Sequence, residues 1–326
     1  MRLALFASLG LAVAGVSTAP AANIVRVVPH TGEVSVLTDL PRPKQKASPN
    51  KFTIPGGATF NITYQDVGSG FNDPTLGAGR RAVLEAVLTY VGTTLDVNGV
   101  CDILVETSQS DGTGALAAAG TYRFENDGYA AGFAFEHLTN GAVDPDLGNN
   151  LEDIFVQVDF GYVWNNTTGP VSVGQFDLYS VLLHEVTHGL GIASLSASNG
   201  SSVTVGTLAT FDNQLHAVGG AKLWDASLVF AGVPLTGGDN TIEFRGLNAQ
   251  ADYSNGVTFP RINTPASFLP GTSMAHWQPS APTPSTAVMV PAISPNTERR
   301  VWHPFEIGAL EDLGYSVART QDWNHY

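Results

Sequence analysis

The sequence predicts an α+β fold from two features of its hydrophobic pattern. Apolar and polar residues alternate over residues 52–67 (FTIPGGATFNITYQDV) and 154–160 (IFVQVDF), which is typical of β-strands. Between these segments, residues 78–91 repeat apolar side chains at helical spacing, namely Val83, Leu84, Val87, Leu88 and Val91. Strands and a long helix mixed in this order favour an α+β domain.

The composition describes a globular chain with an acidic surface. Of the 326 residues, 43% are hydrophobic, which is enough for a full core, and the charged residues give a formal net charge of −14. Because an acidic surface repels the phosphate backbone, we expect no nucleic-acid partner.

Residues 1–21 have the pattern of a secretory signal peptide. Arg2 gives a positive start, residues 3–16 form an apolar run, and Ala19 and Ala21 are small residues suited to cleavage. The apolar run is shorter than the ~20 residues that span a bilayer. The sequence therefore predicts a secreted, extracellular protein without stable membrane insertion.

The rest of the chain divides by composition. Residues 22–51 are basic and contain proline, which favours a flexible stretch that is either a linker or a pro-segment. Residues 52–320 form one folded domain, in which residues 195–270 resemble an insertion of strands and loops rich in Gly, Ser and Thr. A final helix is expected over 304–313, since Pro304 suits its first position and Gly314 its end.

The segment DPDLGNNLED (144–153) is a candidate calcium loop. Its carboxylates are Asp144, Asp146, Glu152 and Asp153, and calcium prefers oxygen ligands. Their spacing matches no recognised calcium motif, so a solvated loop is the favoured interpretation. Ca²⁺ binding by this loop is the alternative interpretation, and no motif in the sequence supports it.

The segment FDLYSVLLHEVTHGLG (176–191) predicts a metal site. Asp177 can cap a helix, on which His184 and His188 lie four residues apart and therefore on one face. Two imidazoles placed in this way can share a tetrahedral Zn²⁺, and Glu185 can act as general base. Both histidines would otherwise face an apolar core without partners, which is costly.

The residues after the second histidine carry a family resemblance. Gly189 and Gly191 predict an early helix end, and the pattern resembles the metzincin metallopeptidases, whose motif continues HExxHxxGxxH. His184, Glu185, His188 and Gly191 match that motif, but Ser194 occupies the position of the third histidine. A serine hydroxyl is a poor zinc ligand, so we expect the third ligand further along the chain.

His276 is the favoured third ligand. It lies in GTSMAHWQP, shortly before Met289 in TAVMVPAI, and a distant histidine followed by a methionine turn resembles the leishmanolysin-like branch of the metzincins. Met289 can equally be a residue that fills the core. Asp212 is the strongest rival ligand, because carboxylates complete other zinc sites, and His216 is a weaker one.

The resemblance implies a metzincin-like catalytic domain. That domain would combine a twisted mixed sheet, a long active-site helix, and a smaller C-terminal subdomain with the Met-turn and the final helix. It would be a secreted zinc metalloendopeptidase that cleaves peptide or protein substrates through a zinc-bound water activated by Glu185. Two alternatives stay open: a secreted zinc-containing binding or surface protein without peptidase activity, and a zinc hydrolase of a non-peptide amide.

Overall fold

The computed structural model describes residues 23–28, 33–37, 50–54, 57–140, 152–238 and 241–318. The predicted signal peptide and most of the candidate calcium loop, with Asp144 and Asp146, lie outside these ranges. The strands are β1 (Ile24–Val28), β2 (Glu33–Leu37), β3 (Asn50–Thr53), β4 (Thr59–Tyr64), β5 (Val100–Val105), β6 (Ala117–Phe124), β7 (Gly128–Ala130), β8 (Ile154–Val158), β9 (Trp164–Asn165), β10 (Phe176–Asp177), β11 (Thr207–Ala209), β12 (Leu215–Ala217) and β13 (Ile242–Phe244). The helices are α1 (Gly77–Thr94), α2 (Phe133–Asn140), α3 (Leu178–Gly189), α4 (Thr210–Asn213), α5 (Leu247–Asp252) and α6 (Pro304–Asp312).

A mixed sheet of seven strands organises the fold, in the order β2-β1-β6-β8-β5-β4-β3. The strands β4, β5 and β8 run parallel to one another, and the other four pairings are antiparallel. With six helices in the described residues, this arrangement is a mixed α/β architecture that agrees with the predicted α+β class.

The helix predicted over residues 78–91 forms as α1, and the five apolar residues of its pattern are fully buried. The segment 52–67, by contrast, is two strands rather than one. Between β3 and β4 the amide of Ile54 donates to the carbonyl of Ala58 and the amide of Gly57 to the carbonyl of Ile54, and the two strands pair antiparallel. Apolar and polar residues keep alternating through this segment, so the hydrophobic pattern alone does not reveal where β3 ends and β4 begins.

Strands β1 and β2 lie within residues 22–51, where the composition favours a flexible stretch. Strand β1 pairs with β2 on one side and with β6 on the other. Ile24, Val25 and Val27 are buried there. This part of the chain therefore adds two strands to the sheet.

One continuous core joins the sheet to the C-terminal part of the chain. It contains residues of α1 and α3 together with Trp277, Met289 and residues of α6. Helix α6 begins at Pro304, as predicted, and the chain leaves it at Gly314 with a φ of +109°. Among the described helices, none is long and apolar enough to cross a membrane.

The predicted insertion, residues 195–270, contains short elements. Strand β11 pairs with β7, strand β12 pairs with β13, and the helices α4 and α5 lie between and after them. Helix α5 packs against α6, so the insertion also supports the final helix.

Candidate metal centre

Helix α3 begins with an aspartate cap. The carboxylate of Asp177 accepts hydrogen bonds from the amide and the hydroxyl of Ser180, at 3.2 and 2.6 Å. Arg300 donates to both oxygens of the same carboxylate, at 2.8 and 2.7 Å. The predicted cap is present, and it also ties the start of α3 to a segment more than a hundred residues away.

The helix ends directly after the second histidine. Gly191 has a φ of +113°, a conformation that favours glycine, and the amide of Ile192 donates to the carbonyl of Thr187. A Cβ atom at Gly189 would lie 2.8 Å from the side chain of Ile154, so only glycine fits there. Gly191 therefore reverses the chain after the helix, as the sequence predicts, whereas Gly189 is the last helical residue and allows α3 to pack closely against Ile154 of β8.

Three histidines meet at one point. The Nε2 atoms of His184 and His188 lie 3.1 Å apart, and the Nε2 atom of His276 lies 3.1 Å from the first and 3.2 Å from the second. Within the described residues, these three are the one set of at least three His, Cys, Asp or Glu side chains close enough to hold a metal ion.

A backbone carbonyl orients each of these imidazoles. The Nδ1 atom of His184 lies 2.8 Å from the carbonyl oxygen of Val288, that of His188 lies 2.6 Å from the oxygen of Ile192, and that of His276 lies 3.0 Å from the oxygen of Thr272. Because a carbonyl oxygen only accepts, each Nδ1 must carry the proton. Each Nε2 atom then carries a lone pair, which is the donor that a metal cation binds.

The triangle of nitrogens fits a metal ion. Nitrogens 3.1–3.2 Å apart can all lie about 2.0–2.1 Å from one point, which is the usual Zn–N distance. Three neutral imidazoles leave a fourth tetrahedral position open, as in catalytic rather than structural zinc sites.

Glu185 follows His184 on α3, lines the same cavity as that histidine, and is buried with 3% of its surface exposed. Burial raises the pKa of its carboxyl group to about 8, although the amide of Ala119 lowers that pKa in part. Its Oε2 atom has no hydrogen-bond partner within the described part of the chain. A carboxylate in this setting is suited to accept a proton.

A cavity of about 280 Å³ opens next to His184 and Glu185. Strand β6, helix α3 and the segment that follows Met289 provide its wall. The apolar side chains that line it are Leu116, Tyr162, Phe176, Val181, Val290 and Ile293. The cavity can therefore receive an apolar group of a ligand whose polar part meets the histidines.

The rival third ligands are elsewhere. Asp212 is fully buried, and its Oδ2 atom accepts hydrogen bonds from the amides of Leu195 and Ala209. Ser194, at the position of the usual metzincin histidine, hydrogen-bonds to the same carboxylate. His216 directs its Nδ1 atom to the carbonyl of Gly220. Neither Asp212 nor His216 belongs to the histidine cluster.

Asp153, from the candidate calcium loop, is also engaged in the fold. Its Oδ1 atom lies 2.5 Å from Nδ1 of His137, and its Oδ2 atom accepts the amide of Asp102 at 2.8 Å. These contacts give Asp153 a structural role in joining β5 to α2.

Met289 is fully buried in a turn, and hydrogen bonds of its backbone stabilise that turn. Its amide donates to Glu306 at 2.7 Å, and its carbonyl accepts from the amide of Trp277 at 2.9 Å. The preceding residue, Val288, supplies the carbonyl that orients His184. The turn therefore borders the histidine cluster, and a Met-turn role for Met289 stays a prediction.

Sequence analysis misses two charged residues, Arg300 and Glu306. The spacing from His303 to Glu306 at the start of α6 has the form of a capping box, which could have drawn attention to Glu306. Arg300 carries no comparable local signal.

No known protein family, curated protein or solved structure matches the chain.

Proposed function

We propose that this protein is a zinc-dependent hydrolase, and specifically a secreted metalloendopeptidase of metzincin type. The convergence of three Nδ1-protonated histidines on one point, with Glu185 beside them, is the observation that carries the proposal. A purely structural zinc site has no need of an open position or of a neighbouring general base.

His184, His188 and His276 would hold the ion through Nε2, each fixed by its backbone carbonyl. A bound zinc ion supplies Lewis-acid polarisation of the substrate carbonyl and lowers the pKa of water toward about 7. Glu185 would take the proton of the attacking water and return it to the leaving amine. Burial raises the pKa of Glu185 in the metal-free chain, and a bound cation nearby would lower it again, so the ionised carboxylate would be able to accept the proton.

The adjoining cavity favours a substrate with an apolar side chain next to the scissile bond. Its lining combines aliphatic and aromatic side chains with Ser180 and Arg299, and it holds about 280 Å³, enough for one large side chain. This feature fits a peptide better than a small polar amide. We also propose that the protein is secreted and acts on peptides. The resemblance of its motifs to the leishmanolysin-like metzincins supports both points.

The test is a digest with the purified protein. It should cleave casein or a peptide library, lose activity with a strong zinc chelator, and regain it with added Zn²⁺. The cut sites should place a large apolar residue next to the cleaved bond. A protein that binds one zinc per chain yet cleaves neither peptides nor model amides would contradict the proposed hydrolase and favour the binding-protein alternative.

A further inference from the structure

Glu306 is a fully buried carboxylate in the first turn of α6. Its two oxygens accept four hydrogen bonds: Oε1 from the indole of Trp277 at 3.1 Å and the amide of Met289 at 2.7 Å, and Oε2 from the amides of Val288 at 3.0 Å and His303 at 2.9 Å. No ion pair with a Lys or Arg is found for it among the described residues.

Three of the four donors, Trp277, Val288 and Met289, lie in the two segments next to the histidine cluster, and the fourth, His303, precedes α6. The amide of Val288 donates to Glu306 and its carbonyl accepts from Nδ1 of His184, so the backbone of one residue links the carboxylate to that imidazole. Trp277 is the next residue after His276, and its own amide donates to Met289. One carboxylate thus holds the Met289 turn and the His276 loop together.

A buried carboxylate without a cation is a costly way to stabilise a core. Burying the charge costs desolvation free energy, so an apolar residue of similar shape would usually make the fold more stable. A buried carboxylate is therefore expected where its charge has a task that an apolar residue cannot perform. Four donors on one anion fix the relative position of three chain segments, which an apolar residue would not do.

We propose that Glu306 is a positioning residue for the metal centre: it sets the spacing of His184 and His276 by anchoring the Val288–Met289 turn and Trp277. The inference rests on the proposed metal site. Groups that orient metal ligands commonly change metal affinity by roughly 10- to 100-fold when removed.

Asp312 offers a matched control on the same helix. Its carboxylate also accepts two backbone amides, those of Asn248 and Ala249 at 3.0 and 2.9 Å, but these lie on α5 and not in the histidine segments. Glu306→Gln and Asp312→Asn both replace an amide-accepting carboxylate by a carboxamide. Only the first change should reach the metal centre.

The experiment measures Zn²⁺ affinity by competition with a chromophoric chelator, the visible spectrum of the Co²⁺ form, and the urea midpoint of the metal-free protein. Both variants should lower the urea midpoint. Glu306→Gln alone should weaken Zn²⁺ binding by roughly 10- to 100-fold and shift the Co²⁺ bands, whereas Asp312→Asn should leave both unchanged.

A second variant covers the case in which Glu306→Gln does not fold. Trp277→Phe removes one donor to Glu306 while it keeps an aromatic ring, and it should weaken Zn²⁺ binding in the same direction to a smaller extent. The inference is overturned if Glu306→Gln keeps the wild-type Zn²⁺ affinity and Co²⁺ bands. If that variant does not fold, the same result for Trp277→Phe overturns it. It is also overturned if Asp312→Asn weakens Zn²⁺ binding as much as Glu306→Gln does. If the wild-type protein itself binds neither ion, the proposed metal site fails and this inference fails with it.

Discussion

The carbonyl oxygen of Val288 lies 2.8 Å from Nδ1 of His184, although 104 residues separate them in the chain. Through this contact the turn that carries Met289 determines the tautomer and direction of a proposed metal ligand. The other two histidines obtain the same orientation from carbonyls only four residues away, Ile192 and Thr272. The centre is therefore assembled partly by local chain geometry and partly by tertiary packing.

Glu185→Ala should abolish most hydrolysis and retain the metal. Since Glu185 is the one carboxylate beside the histidine cluster in our proposal, its loss should lower kcat by about 10²-fold or more. Turnover of a peptide substrate and zinc content should be measured on the same preparation. Glu85→Ala, on the partly exposed face of α1, is the control and should keep full activity. A metal-loaded Glu185→Ala protein with normal turnover would show that another group is the base.

Asp177→Ala should strongly destabilise the fold. It removes the cap of α3 and leaves the guanidinium of Arg300 without its fully buried partner, which together should cost about 2–4 kcal/mol. Urea unfolding of the metal-free protein measures this cost. Glu298 lies 3.8 Å from the same arginine with 42% of its side chain exposed, so Glu298→Ala should cost less than about 1 kcal/mol. Equal losses in the two variants would contradict the assigned role of the cap.

Asp212 should give the protein a specific pH dependence. Burial raises its pKa to about 6, against the hydrogen bonds from Ser194, Leu195 and Ala209 and the nearby charge of Arg123, which lower it. A carboxyl group with a raised pKa binds more protons in the folded state, so its contribution to stability falls as the pH rises from about 4 to about 6.

Asp212→Asn removes this titration and allows it to be measured. Relative to the variant, the free energy of unfolding of the wild type should fall by about 2 kcal/mol between pH 4.5 and pH 7. Urea unfolding at several pH values gives the comparison. Parallel pH profiles for the two proteins would show that the pKa of Asp212 is not raised.

Protein recovered from the culture medium should begin near Ala22 and keep residues 22–51. Strand β1 buries Ile24, Val25 and Val27 against the sheet and pairs with β6, so removal of this segment would expose apolar surface and a strand edge. Sequencing of the N-terminus of protein recovered from culture medium tests the expectation. A mature chain that starts near residue 52 would support the pro-segment interpretation instead, and an intact Met1 would oppose secretion.

The sequence predicts a structural feature when neighbouring residues determine it, and not when the feature depends on contacts with distant segments. Helix α3, its Asp177 cap, its end at Gly189 and the pairing of His184 with His188 all follow from a few neighbouring residues, and each is present. Strand β1 was not predicted, because its strand character depends on pairing with β6, about a hundred residues away.

The third histidine of the cluster could be predicted only in part from the sequence. Its pattern before Met289 favours His276, yet spacing alone could not dismiss Asp212, because the path of residues 195–270 decides which side chain returns to α3. In the structure, Asp212 anchors the amides of Leu195 and Ala209 and so shapes the chain just after α3. The role of Glu306 could not be predicted at all, since three of its four donors come from distant segments.

The most direct test of the account is the zinc content of His276→Ala compared with His216→Ala. His276 contributes one of three converging Nε2 atoms, whereas His216 lies on β12 outside the cluster. Atomic absorption after dialysis against a weak chelator should find one zinc per chain in the wild type and in His216→Ala, and much less than one in His276→Ala. Full zinc retention by a folded His276→Ala protein would contradict the three-histidine centre on which the proposed function depends.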